Sequence, residues 1–132
     1  MCIFCKIVNG EIPCYKVYED DHFLAFLDIS QATRGHTLVI PKKHISNIFE
    51  LDEEYARNMM NVIAKTAKIL QNKLGITSVN LLNNSGKLAG QTVDHFHVHI
   101  IPRYQNDDCK FDFTEHEFNA ENLQKLYETI NN

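Results

Sequence analysis

The chain has 132 residues, of which 44% are hydrophobic and 23% charged, with a formal net charge of -4. This length predicts a single domain over residues 1–132 with one core, and this composition excludes disordered and fibrous classes. The negative charge argues against a nucleic-acid partner, because proteins that coat nucleic acids carry a basic surface.

No stretch approaches the roughly 20 apolar residues that cross a bilayer, and the N-terminus does not have the pattern of a secretory signal. We therefore expect a cytoplasmic protein with no membrane partner. In that reducing compartment, structural disulfides are not expected for the four cysteines.

The first half of the chain predicts one short helix and three strands. Helical spacing of apolar residues runs from Cys2 to Val8 and stops at Asn9-Gly10. Two strands, Tyr15–Glu19 and Phe23–Leu27, flank a tight turn, and a third, His36–Pro41, ends at a proline.

The second half predicts a long helix, two strands and a closing helix. The long helix begins after the N-cap Asp52 and ends at Gly75. Strands Ser78–Asn83 and Asp94–Arg103 follow. The last helix is amphipathic, with one apolar side formed by Leu123, Leu126, Tyr127 and Ile130. These elements predict an α+β domain with a mainly antiparallel five-stranded sheet and one long central helix.

Three of the seven histidines occupy alternate positions of the last strand: His95, His97 and His99. Alternate side chains of a strand share a face, so the imidazoles should line one face while the apolar residues between them enter the core. A merely polar strand face explains this clustering poorly. Two chemistries remain open, namely a catalytic zinc held by an H-x-H pair and an imidazole that itself attacks phosphorus.

The segment just before these histidines favours phosphorus chemistry. Gly90 is flexible, while Gln91 offers an amide and Thr92 a hydroxyl. Together with backbone N–H groups, these are suitable donors for phosphoryl oxygens.

The order of motifs along almost the whole chain resembles the histidine triad (HIT) family, in its bacterial-type branch related to the purine nucleoside phosphoramidases. The matching segments are Ile3-Phe4, Lys6-Ile7, Phe26 to Ser30, Gly35 to Ile45, Asn84 to Gly86, Ala89 to Thr92 and His95 to Ile101. The resemblance implies a HIT-like fold whose sheet extends across a homodimer. It places the dimer contacts on the helix at 53–74 and on the strand bearing His95.

The resemblance also implies a role for each of the polar residues of the site. His97 would be the nucleophile, His99 would contact the phosphate, and His36 would support the orientation and proton balance of the nucleophile. Histidine rather than glutamine at position 99 points to the hydrolase branches of the family. The sequence has no acidic cluster that would suit magnesium, so we expect that no catalytic metal is required. Asp28 would bind the ribose hydroxyls and Asn84 a nearby polar group. The implied base pocket consists of Ile3, Phe4, Ile7, Phe26, Ile29 and Leu38.

The pair Cys2 and Cys5 has the spacing C-x-x-C. Two thiolates can start a structural zinc site, which needs two further ligands, although two reduced cysteines at a frayed terminus are the alternative. The resemblance implies that His44 and His95 complete a structural Zn²⁺ site.

The expected function is hydrolysis of purine nucleoside phosphoramidates, dinucleoside polyphosphates or nucleotidyl adducts through a nucleotidyl-histidine intermediate. Two alternatives stay open. One is a zinc-dependent hydrolase that uses triad histidines as metal ligands, and the other is a nucleotide-binding regulatory module whose hydrolysis is incidental.

Overall fold

The computed structural model describes residues 1–132. Its helices and strands follow in the order α1 (Ile3–Val8), β1 (Lys16–Glu19), β2 (Phe23–Leu27), β3 (Thr37–Pro41), α2 (Glu53–Leu74), β4 (Val79–Leu82), β5 (Val98–Pro102) and α3 (Ala120–Asn131). The strands form one antiparallel sheet in the order β1-β2-β3-β5-β4. The predicted α+β class is confirmed. No helix is both long enough and apolar enough to cross a membrane.

The long helix α2 begins and ends at the residues that the sequence predicts. The side chain of Asp52 accepts a hydrogen bond from the N–H of Tyr55 at 2.8 Å, and Gly75 closes the helix in the left-handed conformation at φ 69°. Each of these caps contributes about 1 kcal/mol. The buried side of α2 packs on one face of the sheet through Met59, Val62, Ile63 and Leu70.

The short helix α1 covers part of the opposite face of the sheet. Its buried Phe4 packs against four strand residues, Leu24, Phe26, Leu38 and Ile40. Because β2 and β3 are covered on both faces, they are apolar and buried at nearly every position instead of alternating.

The histidine segment departs from the prediction in two ways. Strand β5 begins at Val98, so His95 and His97 precede it. The N–H of Phe96 donates to the carbonyl of Ile45 at 2.6 Å, outside the strand ladder. The imidazoles are also not displayed outwards: His95 is fully buried and His97 nearly so, because α1 lies over them.

The sheet order shows which strands have a free edge. Strand β5 pairs with β3 on one side and β4 on the other. The strand bearing the histidines therefore has no free edge, and the two free edges of the sheet are those of β1 and β4. The homodimer and its contacts stay predictions.

The last part of the chain, residues 110–132, is exposed throughout. It contains α3, whose amphipathic pattern the sequence predicts. The apolar side of α3 does not contribute to the core of the protomer.

Candidate active site and metal centre

His36 and His99 form a hydrogen-bonded pair whose proton positions follow from their neighbours. The backbone N–H of Ala32 donates to His36 Nδ1 at 3.1 Å, so the proton of the neutral ring is on Nε2. That Nε2–H donates to His99 Nδ1 at 2.8 Å. The proton of His99 must then be on its own Nε2, which makes this atom a donor.

His97 carries its proton on Nδ1, the ring nitrogen that is unprotonated in His36 and His99. Its Nδ1 lies 2.7 Å from the carbonyl oxygen of His95, and a carbonyl can only accept. Nδ1 therefore carries the proton and Nε2 keeps a lone pair. The side-chain amide of Asn83 donates to the His97 carbonyl at 2.9 Å. The sequence analysis did not identify Asn83, although it directly precedes the Asn84-Ser-Gly motif.

The loop before β3 holds His36 in place. The side chain of Gln31 accepts hydrogen bonds from the N–H groups of Gly35 and His36 and donates to the carbonyl of His36. Gly35 has φ 94°, and a Cβ on it would lie 2.6 Å from Leu74 Cδ1. Only glycine fits this position without strain. Gln31 was also missed, because a glutamine in a loop has no distinguishing sequence signal.

Burial lowers the pKa values of three imidazoles of the site, those of His36, His95 and His99. It lowers the pKa of His99 to about 4, with a further lowering from His97 and His36 that Asp28 opposes. At neutral pH these rings therefore act as neutral donors and acceptors.

An apolar cavity of about 150 Å³ opens beside His36 and His99. Its lining includes all seven predicted nucleoside contacts, namely Ile3, Phe4, Ile7, Phe26, Asp28, Ile29 and Leu38, together with the unpredicted Ile12, Pro13, Cys14, Tyr15 and Leu27. The Asp28 carboxylate lies 3.6 Å from His36 Nε2 and so connects the cavity to the imidazoles. An apolar slot with one carboxylate at its edge suits a flat base attached to a hydroxylated sugar.

The loop before the histidines is shaped by the side chain of Gln91. Its oxygen accepts from the N–H of Gly86 at 2.8 Å, and its nitrogen donates to the carbonyls of Ser46 and Val93. The amide therefore holds the loop, and phosphate binding by Gln91 stays a prediction. Thr92 is exposed and Asn84 half-buried.

Four side chains predicted to bind metal converge: Cys2, Cys5, His44 and His95. The two sulfurs are 3.2 Å apart, and each sulfur lies 3.3–3.6 Å from the Nδ1 atoms of the two histidines. A tetrahedral zinc with ordinary bond lengths requires ligand separations of about 3.3–3.8 Å. The sulfur–nitrogen distances lie in this range, and the two sulfurs would reach it by moving apart by about half an ångström. His95 Nε2 donates to the carbonyl of Pro41 at 2.8 Å, which leaves Nδ1 free to coordinate. This set can hold a zinc ion.

A second group, Asp28, His36 and His99, also has ligand atoms within 4.8 Å of one another. For His36 Nε2 to bind a metal, its proton would have to move to Nδ1, where it would face the N–H of Ala32. The hydrogen bonds of this group therefore favour a relay of imidazoles over a catalytic metal centre.

Together, the fold and the buried imidazoles define an α+β domain built around a histidine triad, with a cavity for a small ligand at its side. The HIT domain family matches residues 9–106, and the chain belongs to this family. It is 54% identical over 107 residues to "Protein hit" of Bacillus subtilis, covering 81% of this chain and 74% of that protein.

Three further proteins are similar to this chain, and the names of two of them state an activity or a metal. "Adenosine 5'-monophosphoramidase hnt1" of Schizosaccharomyces pombe is 46% identical over 102 residues, with 77% of this chain and 74% of that protein covered. The crystal structure of SMU.412c from Streptococcus mutans matches with a TM-score of 0.94 at 49% identity, over 98% of this chain and 83% of that one. A Zn-bound histidine triad family protein from Mycobacterium smegmatis matches with a TM-score of 0.78 at 35% identity, over 98% and 95% of the two chains.

Proposed function

We propose that this protein hydrolyses purine nucleotides at the α-phosphorus, with His97 as the nucleophile. The observation that carries the proposal is the 2.7 Å hydrogen bond from His97 Nδ1 to the carbonyl of His95. This bond orients the ring and leaves the lone pair on Nε2, which is the state that a nucleophilic imidazole requires.

The reaction has two steps. His97 Nε2 forms a bond to phosphorus while the bond from phosphorus to the leaving group breaks, and the leaving group takes up a proton from solvent. The ring becomes cationic as it attacks, and the His95 carbonyl stabilises the Nδ1–H of that cation. Water then attacks the phosphorus, the bond from phosphorus to His97 Nε2 breaks, and the nucleotide is released while the proton that the water loses returns to solvent. His99 donates its Nε2–H to a non-bridging phosphoryl oxygen in both steps.

The substrates we propose are purine nucleoside phosphoramidates, with dinucleoside polyphosphates and nucleotidyl adducts as further members of the class. The name of the fission-yeast relative supports the phosphoramidates. The base enters the apolar cavity, Asp28 accepts hydrogen bonds from the ribose hydroxyls, and the α-phosphate reaches the imidazoles beside it.

We also propose that Cys2, Cys5, His44 and His95 hold a structural zinc. The convergence of their ligand atoms and the Zn-bound relative support this. The metal would tie the start of α1 to the segment that carries His97. Because four protein ligands fill a tetrahedral site, it would leave no position for a reacting water. The free thiols also fit a reducing compartment, so we propose a cytoplasmic location.

The proposed assembly is a homodimer of single-domain protomers that continues the sheet through the edge of β4. This edge strand exposes Val79 and Leu81. Beside it lies an apolar groove of about 310 Å³ whose lining includes Ile48, Met60 and Leu81. An exposed apolar edge next to an apolar groove is typical of an interface.

The test is a panel of phosphoramidate, dinucleoside polyphosphate and nucleotidyl adduct substrates, with kcat/KM measured for the wild type and His97→Ala. We expect His97→Ala to lose about 10³-fold or more on every substrate that the enzyme uses. His22→Ala is the matched control, because His22 is exposed and lies beside Tyr55, away from the imidazole group.

The alternatives give different results in the same assays. A zinc-dependent hydrolase would lose its turnover to a chelator without unfolding, and substantial turnover in His97→Ala would rule out His97 as the nucleophile. A regulatory module would bind the nucleotide product tightly and turn over too slowly to matter. Mass spectrometry after alkaline quenching should detect a nucleotidyl adduct on the wild type and not on His97→Ala.

A further inference from the structure

The two strand ladders beside β5 stop short of His97. Pairing with β3 begins at Val98, and pairing with β4 begins only at His99. The backbone of His97 makes no hydrogen bond to another backbone group. Backbone pairing therefore does not fix the position of the proposed nucleophile.

The hydrogen bond of the His97 ring is local. Nδ1 donates to the carbonyl of His95, two residues earlier in the same segment, so this bond orients the ring within the segment only. Two contacts hold the segment from one side, because His95 Nε2 donates to the carbonyl of Pro41 and the N–H of Phe96 donates to the carbonyl of Ile45. Both lead to the end of β3 and the residues just after it.

The contact on the other side of the segment comes from Asn83, which directly follows β4. Its Nδ2 donates to the carbonyl of His97 at 2.9 Å. The β4 ladder has ended one residue earlier, at Leu82, so the side-chain amide takes the place of a further ladder bond. The segment of His97 is thereby held between β3 and the end of β4.

Ser85 determines which end of the Asn83 amide faces His97. The N–H of Ile48 donates to Ser85 Oγ at 3.0 Å, and Ser85 Oγ lies 2.7 Å from Asn83 Oδ1. An amide oxygen can only accept, so the hydroxyl proton points to it. The amide nitrogen is then turned to the carbonyl of His97.

The surroundings of Asn83 are otherwise apolar. It lines the groove of about 310 Å³ beside β4, whose other lining residues are hydrophobic and include Leu81, Phe96 and Val98. A polar side chain in an apolar wall costs free energy unless its polar atoms are hydrogen-bonded. A leucine, which has the same branched shape, would suit this wall better. The amide is therefore explained by its hydrogen bonds and not by packing.

We propose that Asn83 is a positioning residue for the nucleophile and that Ser85 orients its amide. This inference rests on the proposed function, in which His97 Nε2 attacks phosphorus. The bond from Asn83 holds the backbone of His97, and with it Nε2, in a fixed position relative to the cavity that binds the base. A small displacement of a reacting atom lowers the rate of the chemical step without weakening the binding of the nucleoside.

The first test is Asn83→Leu, which removes the donor and keeps the branched shape. We expect kcat to fall about 10- to 100-fold while KM changes less than about twofold. The matched control is Asn61→Leu, at an exposed position of α2, which should keep kcat within about twofold. An unchanged kcat in Asn83→Leu would overturn the proposal, and so would a loss of activity no larger than the loss of folded protein.

Variants of Ser85 give an independent test, because Ser85 does not line the groove. Ser85→Thr keeps the hydroxyl and should keep kcat within about twofold, whereas Ser85→Ala should lower it about fivefold. Ser85→Ala combined with Asn83→Leu should be no slower than Asn83→Leu alone, because Ser85 acts through Asn83. Additive losses would overturn the assigned order of the hydrogen bonds.

Carbon-13 NMR gives a measurement that does not depend on turnover. The carbonyl carbon of His97 should shift upfield in Asn83→Leu, because its oxygen loses a hydrogen bond, and should stay in place in Asn61→Leu. An unchanged shift in Asn83→Leu would overturn the proposal.

The proposed function is decided separately by His97→Ala. If His97→Ala is inactive and Asn83→Leu is fully active, the positioning role fails and the nucleophile stands. If His97→Ala keeps substantial turnover, the proposed function fails and the positioning role fails with it.

Discussion

His36 donates its Nε2 proton to Nδ1 of His99 across 2.8 Å, so the position of the proton on His99 is set by a residue 63 positions earlier. This relationship makes His36 a positioning residue in the proposed reaction. The proton of the His36 ring is in turn kept on Nε2 by the N–H of Ala32, which donates to Nδ1.

His36→Ala should therefore lower kcat by about 10- to 100-fold with little change in KM, because His99 loses the donor that keeps its proton on Nε2. The pKa of His99, followed by NMR, should also rise from about 4, because both the burial and the repulsion from His36 are reduced. His22→Ala is the control. An unchanged pKa of His99 in His36→Ala would contradict the assigned pairing.

The stability of the protein should depend on pH through His99. Its folded pKa of about 4 lies below the ordinary value of 6.5, so the unfolded chain binds more protons between these values. The contribution of His99 to the free energy of unfolding is therefore complete above about pH 6.5 and is lost as the pH falls towards 4. Urea unfolding should show this decrease in the wild type and a smaller one in His99→Gln. Parallel curves for the two proteins would rule out His99 as the cause.

Gly35→Ala should destabilise the fold more than Gly10→Ala. Both glycines have positive φ, at 94° and 79°, so the backbone cost is similar. Only at Gly35 does the added Cβ meet Leu74 and Pro102, whereas at Gly10 it meets nothing within 4 Å. We expect about 1–2 kcal/mol more loss for Gly35→Ala in denaturant unfolding. Equal losses would show that Leu74 moves aside freely.

Removal of zinc should lower the thermal midpoint without abolishing the chemistry of His97. Cys2→Ser should lose most of the bound zinc and unfold about 10 °C lower, while Cys109→Ser should keep one zinc per chain. Metal analysis and calorimetry measure both effects. Chelated enzyme below its midpoint should still form the His97 adduct, and loss of the adduct in a folded chelated enzyme would favour the catalytic-zinc alternative.

Asp28→Asn should weaken recognition of the ribose. A carboxylate that accepts hydroxyl hydrogen bonds contributes about 1.5–3 kcal/mol, so kcat/KM for ribonucleotide substrates should fall about 10- to 100-fold. The matched 2',3'-dideoxy substrates should lose much less. Asp21→Asn, at an exposed turn, is the control. Equal losses on both substrates would assign Asp28 to the imidazoles alone.

Much of the candidate site could be predicted because its residues belong to local motifs. The spacing of Cys2 and Cys5 and the alternation around His97 are visible in the sequence. The structure brings together the four predicted metal ligands and the residues that line the apolar cavity, whereas phosphate binding by Gln91 and Thr92 stays a prediction. Asn83 and Gln31 could not be predicted in the same way, because each acts through a hydrogen bond to a backbone group that only folding brings near.

The sequence by itself determined the helices and strands, since they follow from short-range periodicity and caps such as Asp52 and Gly75. Family membership also follows from its ordered motifs. Only the tertiary structure decided which nitrogen of each imidazole carries the proton. That choice depends on backbone groups contributed by other segments, as at His95, whose Nε2 donates to Pro41 in β3, 54 positions earlier in the chain. The free edge of β4 and the uncovered side of α3 likewise depend on strand order and packing, which no local pattern specifies.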